Sequence, residues 1–317
     1  MLTFNEHKLL TEATKSGFSD EHALANLWNH AVQHKDSAKL LAHPEHLHAE
    51  IDKAKKDKTH PLNIANVHHG FTGGKKPEHS EAYYKEIHHA AEAVHGMASH
   101  PSFKQAVKEK HHARVTGAEA GTLSHTWVKS GAKNKTSKAD IVLEHPKTKK
   151  GVGISLKKGD AQLMSAEPNE FHATYSHAVA EHGKANKKFT PEHQKKVMAS
   201  VEKVQHNLNA MKSTTNKDEQ RKLRDEAQSH INKIHAEHPD LLHHVAHEAS
   251  TGHGKFGHEQ TGTARHLVTT IAGHAPHIHD TVTQNHPIEV GTPRVALPKG
   301  SNRPGNVKLD YKTKKPS

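Results

Sequence analysis

The sequence predicts an α+β fold with an α/β core: a small central mixed sheet containing one hairpin, surrounded by many polar helices. Three observations carry that expectation. Apolar residues recur at helical spacing over most of the chain. Dense strand signal is confined to two short runs, Ala139–Leu143 and Val152–Leu156, flanking the polar connection His145–Gly151. Short extended runs separated by Gly and Pro return near the C-terminal end. Of the 317 residues only 32% are hydrophobic and 4% aromatic, against roughly 45–50% apolar in an average domain. A modest core under solvated helix is therefore expected.

In chain order, Asp20–Lys39 reads as a helix, capped by Ser19 or Asp20, with Ala23, Leu24, Leu27, Trp28 and Val32 on one side. A second helical piece spans Pro44–Lys56, and His60–His79, with its glycines and prolines, reads as a loop. Glu78–Met97 is helical, and Pro101–Ala118 predicts another helix continuing through Glu119 toward Trp127. The basic stretch Gly131–Lys138 leads into the hairpin. After it come a loop and a helix broken near Pro168, then Pro191–Met211, opened by Thr190 as N-cap with Pro191 in the first position. Asp218–His238 ends at Pro239, and Leu241–Ala249 is short and apolar. A glycine-containing turn within His247–Pro276 precedes a strand. Ile288–Val290, Arg294–Leu297 and Val307–Tyr311 are extended. The expected organisation is a leader over 1–12, a helical region over 13–109, a core over 110–311 with inserted helices at about 176–246, and a basic disordered tail over 312–317.

Lys and Arg outnumber Asp and Glu by 45 to 34, a net charge of +11 that favours an anionic partner such as nucleic acid. The 37 histidines make the chain far more cationic in mild acid. Pairs such as His68-His69, His88-His89, His111-His112 and His243-His244, and the spacings His46/His48 and His277/His279, suit a transition metal. No single ligand spacing recurs and no HExxH occurs, so histidine reads chiefly as a titratable surface residue. The absence of cysteine excludes disulfides and thiolate metal sites. No apolar run reaches the roughly 18 residues of a membrane helix, and no membrane partner is expected.

Pairing the hairpin so that Asp140 lies opposite Lys157 sets Val142 against Ser155 and Glu144 against Gly153. Alternation then puts Asp140, Ser155 and Lys157 on one face and Ile141, Leu143, Ile154 and Leu156 on the other. A carboxylate beside an ammonium is what metal-dependent phosphodiester cleavage needs: the acid holds a divalent cation, and the lysine positions water or stabilises charge on phosphorus. An ordinary surface Asp–Lys pair gives the same pattern.

A helix carrying Glu119, a strand opening at Asp140 and a hairpin to Ser155-Leu156-Lys157 together resemble the PD-(D/E)XK nuclease superfamily. The resemblance covers residues 110–175, with a looser echo after Glu248. It implies a restriction-endonuclease-like fold, Mg2+ or Mn2+ as cofactor, Asp140, Glu170 and Glu119 as metal ligands, and Lys157 as the water-positioning cation. Two positions depart from the motif. Ala139 replaces its proline, and Ser155 stands where the second acid belongs. Some restriction enzymes of the superfamily have Ser or Thr there and recruit a glutamate about 13 residues after the lysine; Glu170 lies at that distance, with Glu167 as fallback. Loss of activity is the competing explanation. Ser155, Lys158, Gln162 and Ser165 are candidate substrate contacts. The EASTGHGKFG segment, similar to a turn in phage proteins with an ISLKKG-type core, adds Lys255, and Arg265 follows it.

The N-terminal Leu10-Thr11-Glu12, followed by Ala13, resembles the leader of proteins packaged in myovirus phage heads, where a prohead protease cuts after a Leu/Ile-x-Glu triplet. That resemblance implies processing between Glu12 and Ala13, with the protease and the capsid interior as partners and the virion head, then the host cytoplasm, as locations. Two functions follow as expectations: a nuclease delivered with the genome, or a non-catalytic, basic, histidine-rich internal head protein that neutralises packaged DNA. Metal sequestration by histidine is a third.

Overall fold

A computed structural model of the chain describes residues 17–57, 59–62, 81–116, 138–158, 162–256, 263–270, 275–281 and 288–311. The leader, the C-terminal tail and Glu119 lie outside these residues. The described residues divide into two units: those up to Lys158 together with the segment from Ala264 to Asp280, and those from Gln162 to Thr263 together with Thr281 onward.

The first unit opens with helices α1 (Gly17–Gln33), α2 (Ser37–Ala42) and α3 (Pro44–Lys56). Pro44 sits in the first turn of α3 with Glu45, and Lys53, Lys55 and Lys56 occupy its last turn, as the helix dipole favours. Helix α4 (Glu81–Ser99), a single 3-10 turn (Pro101–Phe103) and the short α5 (Lys104–Lys108) follow. Leu24, Leu27 and Trp28 of α1, Leu47 and Ile51 of α3, and Val94 and Met97 of α4 share one buried cluster with Ile141, Leu143, Ile154 and Val268 of the sheet. Trp28 is fully buried and meets Phe103 edge-on at 6.3 Å.

That sheet has five strands in the order β1 (His112–Val115), β2 (Ile141–Glu144), β3 (Gly151–Lys158), β5 (His266–Thr270) and β6 (His277–Asp280). β1, β2 and β3 run antiparallel, β3 and β5 parallel, and β5 and β6 antiparallel, so the sheet is mixed, as expected. Strand β1 overturns the helix expected to run through Ala118. Lys110 adopts a positive φ of 54°, which stops the helix, and the next residues pair with β2. The free edge of β1 is clamped by α1: the Asn29 side chain donates to Ala113 C=O at 2.9 Å and accepts its N–H at 2.6 Å, and Gln33 donates to Lys110 C=O at 2.9 Å. The helix thus covers an edge that would otherwise stay open.

The hairpin forms, with a register two residues tighter than expected. Ile141 pairs with Ile154 and Glu144 with Gly151, which places Asp140 opposite Ser155. A shift of two preserves the faces, so Ile141, Leu143 and Ile154 are fully buried against the helices as anticipated. The turn is tightened by His145, whose N–H donates to Lys150 C=O at 2.8 Å while its Nδ1 accepts the N–H groups of Lys147 and Thr148. Gly151 fits because an added Cβ there would come within 2.5 Å of Val142 Cγ1.

In the second unit, β4 (Gln162–Ala166), β8 (Asn306–Asp310) and β7 (Arg294–Ala296) form an antiparallel sheet in that order. Here β4 replaces an expected loop, and Pro168 opens helix α6 (Pro168–Ala185) instead of breaking one; proline is at home in a first turn, where its missing N–H costs nothing. Helices α7 (Pro191–Ser213), α8 (Lys217–Glu237), α9 (Leu241–Thr251) and α10 (His253–Phe256) complete it. Thr190 caps α7 in a capping box with His193, and the Asn216 side chain caps α8 by accepting from Asp218 and Glu219 N–H. Phe171, Tyr175, Val201, Leu208, Ile231 and Val245 are fully buried. Histidine also enters both interiors: His111, His182, His253 and His266 are buried, so it is not only a surface residue here.

Candidate functional site

Asp140 precedes β2 and is held from two sides. Its N–H donates to Ile154 C=O at 2.8 Å, and its C=O accepts Thr116 N–H at 3.0 Å, just beyond β1. Thr116 Oγ1 also donates to Ala139 C=O. The carboxylate therefore leaves a fixed stretch of backbone, not a free loop.

Its Oδ2 gathers three donors from β3. Ser155 Oγ donates at 3.1 Å, Leu156 N–H at 2.6 Å, and Lys157 Nζ stands at 3.6 Å. The side chains of Asp140 and Lys157 are 22% and 17% exposed, so the pair is partly desolvated yet open to solvent on one side. Ser155 is fully buried and packs beside β5, where it pairs with Leu267 while Lys157 pairs with Thr269. Lysine thus reaches the carboxylate diagonally and serine sits opposite it. Sequence reasoning found all three side chains and missed the Leu156 N–H, which follows only from the true register.

The remaining expected residues among those described lie at other positions of the two units. Lys158 ends β3, paired with Thr270. Arg265 precedes β5, its N–H donating to Gly153 C=O at 2.8 Å and its guanidinium 3.8 Å from Asp280. In the second unit, Gln162 opens β4 opposite Asp310, and Ser165 pairs with Lys308. There Glu167 is the N-cap residue of α6 without a side-chain cap bond, Glu170 lies in that helix's first turn, and Lys255 belongs to α10. Glu119, Glu12 and Ala13 lie outside the described residues. Glu144, at the far end of β2, is buried, with Lys149 Nζ at 3.1 Å and Arg114 Nε at 3.6 Å.

A second constellation went unanticipated. Glu109, His111 and His145 bring their ligand atoms within 4.8 Å of one another, a group that could hold a metal ion. Glu109 Oε2 lies 3.2 Å from His111 Nε2 and 3.7 Å from His145 Nε2. The Gln105 amide, then His111, hold the Glu109 carboxyl below its ordinary range. His111 and His145 face each other one step beyond the last β1–β2 pair, His112 with Glu144. The Glu-x-His spacing was visible in the sequence, but a helix drawn through these residues hid its partner.

Compared with protein-family models, with curated proteins and with solved structures, the chain matches none. Among the described residues, no helix is long and apolar enough to cross a membrane.

Proposed function

We propose that the protein is a divalent-metal-dependent nuclease of PD-(D/E)XK type with a restriction-endonuclease-like core, hydrolysing phosphodiester bonds in DNA. One observation carries the reading: Asp140, Ser155 and Lys157 converge on the rim of a mixed sheet, with all three β3 donors on one carboxylate oxygen. The net charge of +11 supports an anionic substrate.

The donors suit Mg2+ or Mn2+, which bind hard oxygen and are commonly held by one or two carboxylates plus substrate phosphate. Asp140 would hold the ion through its carboxylate, whose Oδ2 also receives the β3 donors. Such an ion would supply Lewis-acid stabilisation of the phosphoryl group and activation of the attacking water. Lys157 orients the attacking water and offsets charge developing on the phosphate. Ser155 fixes the Asp140 carboxylate by its hydrogen bond and contributes no charge. Carriage inside a phage head, after removal of residues 1–12, completes the proposal; a virion protein beginning at Ala13 supports it and an intact Met1 in virions removes it.

Plasmid cleavage with Mg2+ or Mn2+, comparing wild type with Lys157→Ala, tests the catalytic part. Cleavage by the wild type and its loss in the variant are expected. Equal cleavage by both overturns the catalytic reading built on Lys157, and no cleavage by either while DNA still binds in a salt-dependent manner favours the non-catalytic DNA-neutralising protein instead. In the same assay Glu119→Gln, Glu170→Gln and Glu167→Gln identify the acid that completes the metal-ligand set.

A further inference from the structure

We propose that Glu109, His111 and His145 form a binding site for a first-row transition metal, Zn2+ being the probe of choice, separate from the Asp140 site and independent of the nuclease reading. Two imidazoles and one carboxylate form a donor set suited to Zn2+, Co2+ or Ni2+ and ill-suited to Mg2+. Three protein ligands leave a fourth position for water.

The fold builds this site from elements already fixed for other reasons. His111 is buried, its C=O accepts the Trp28 indole N–H at 2.9 Å, and its N–H donates to Ala106 C=O at 2.8 Å. Lys110, at φ 54°, turns the chain so that Glu109 and His111 converge, and Gln33 secures the Lys110 carbonyl. The Gln105 amide donates to Glu109 Oε1 at 3.1 Å, which aims Oε2 at the two imidazoles. Outer contacts of this kind orient metal ligands elsewhere. His145 joins from the β2–β3 turn as the next cross-strand partner of His111. With Zn–N near 2.0–2.1 Å, tetrahedral ligands stand about 3.4 Å apart, so closing the present 4.8 Å span needs movement on the order of 1 Å at the exposed turn.

Metal binding leaves a specific trace. His145 Nδ1 accepts the N–H groups of Lys147 and Thr148, at 3.1 and 3.0 Å, so the neutral ring carries its proton on Nε2. Ligation through Nε2 moves that proton to Nδ1, and both exposed amides turn to solvent. His111, whose Nε2 faces Glu109 Oε2, makes the same exchange at a buried Nδ1 that has no hydrogen-bond partner among the described residues, so its ligation carries the cost of a buried N–H. The bound ion replaces the proton-mediated contacts to Glu109 with direct bonds and ties the entry of β1 to the hairpin turn.

With 37 histidines in the chain, weak metal binding elsewhere is a background that the test must separate. The chelator-treated full-length protein is titrated with Zn2+ in excess Mg2+, by calorimetry and by amide NMR. One equivalent binding at least tenfold tighter than the rest is expected, with the Lys147 and Thr148 amides shifting in step with it. Glu109→Gln and His145→Gln, both away from the core, each lose this equivalent, and Asp140→Asn keeps it. No tight equivalent, a tight equivalent unchanged in both variants, or saturation without movement of the two amides overturns the proposal. The wild-type amide measurement decides the matter even if a variant fails to fold.

Discussion

Two carboxylates mark the two ends of the β1–β2 ladder, and their surroundings differ in kind. At one end Asp140 Oδ2 meets a hydroxyl, a backbone N–H and an ammonium. All three groups donate to that one oxygen, and the charge-assisted contacts among them are the stronger kind. At the other end Glu109 Oε2 meets two imidazoles, each of which can itself become a ligand. β2 and its flanking residues span only about 16 Å at 3.3 Å per residue, yet a single strand thereby separates a carboxylate met by oxygen and nitrogen donors from one met by two imidazoles. Neighbouring donors, more than the carboxylate itself, decide which ion an acid can take.

The largest expected effect breaks the Asp140 end alone. Lys157→Ala lowers metal-dependent cleavage by about 100-fold or more, the scale of losing a preorganised charge-stabilising donor, while leaving the tight Zn2+ equivalent in place. Loss of both in this variant would mean that the two ends are not independent. Supercoiled-plasmid cleavage and zinc calorimetry on the same preparation provide the check.

Acid attacks both units, through histidines held neutral by burial. Burial lowers His235, hydrogen-bonded to Tyr175 in the second unit, from 6.5 to about 4. It lowers His266, whose ring is tilted against that of Phe103 in the first, to about 4 as well. Between these values the unfolded chain binds protons that the folded one refuses, so stability is full above pH 6.5 and falls as the pH drops toward 4. For His235 the loss is about 3 kcal/mol. Urea unfolding at pH 7 and at pH 4.5 measures it, and His235→Gln flattens the profile if the assignment holds. Mild acid thus does more than add surface charge, since some of the protonation is linked to unfolding.

A subtler comparison separates the platform from the ligands. Asn29→Ala removes two hydrogen bonds from the β1 edge and costs about 2 kcal/mol of stability. It also weakens Zn2+ binding several-fold by loosening the Glu109–His111 segment. Thermal unfolding with and without Zn2+ separates these two effects, and an unchanged Zn2+ affinity would show that the clamp does not support the ligands.

How far these features were legible differs from residue to residue. Trp28, Leu24 and Leu27 announced their buried face by helical spacing, and Ile141, Leu143 and Ile154 announced theirs by alternation, because one-sided burial imposes a period on the sequence. The Asp140–Lys157 association was legible for the same reason: a register error of two leaves every side chain on its correct face. The identity of the residue opposite Asp140 was not legible, because turn length depends on the His145 side chain capping its own turn. Strand β1 was hidden for a related reason. His112–Val115 has little strand signal of its own and is held extended by β2 on one side and Asn29 on the other, contacts remote in sequence. The three-residue His/Glu cluster inherited that blindness, since it exists only once β1 is paired.

Ser155 gives the smallest effect and the sharpest comparison. Opposite Asp140, it donates one hydrogen bond to the oxygen that Lys157 and Leu156 N–H also engage. Ser155→Ala removes one of three donors and leaves the other two, at a cost of about 1 kcal/mol in stability. If serine only orients the carboxylate, cleavage falls a few-fold while its dependence on Mg2+ concentration stays unchanged, because no metal ligand is lost. If the serine hydroxyl is itself a metal ligand in place of the missing acid, half-saturation moves to higher Mg2+ with little loss at saturation. A Mg2+ titration of cleavage by this variant therefore separates a positioning serine from a ligating one, at the position where the sequence departs most from the motif it resembles.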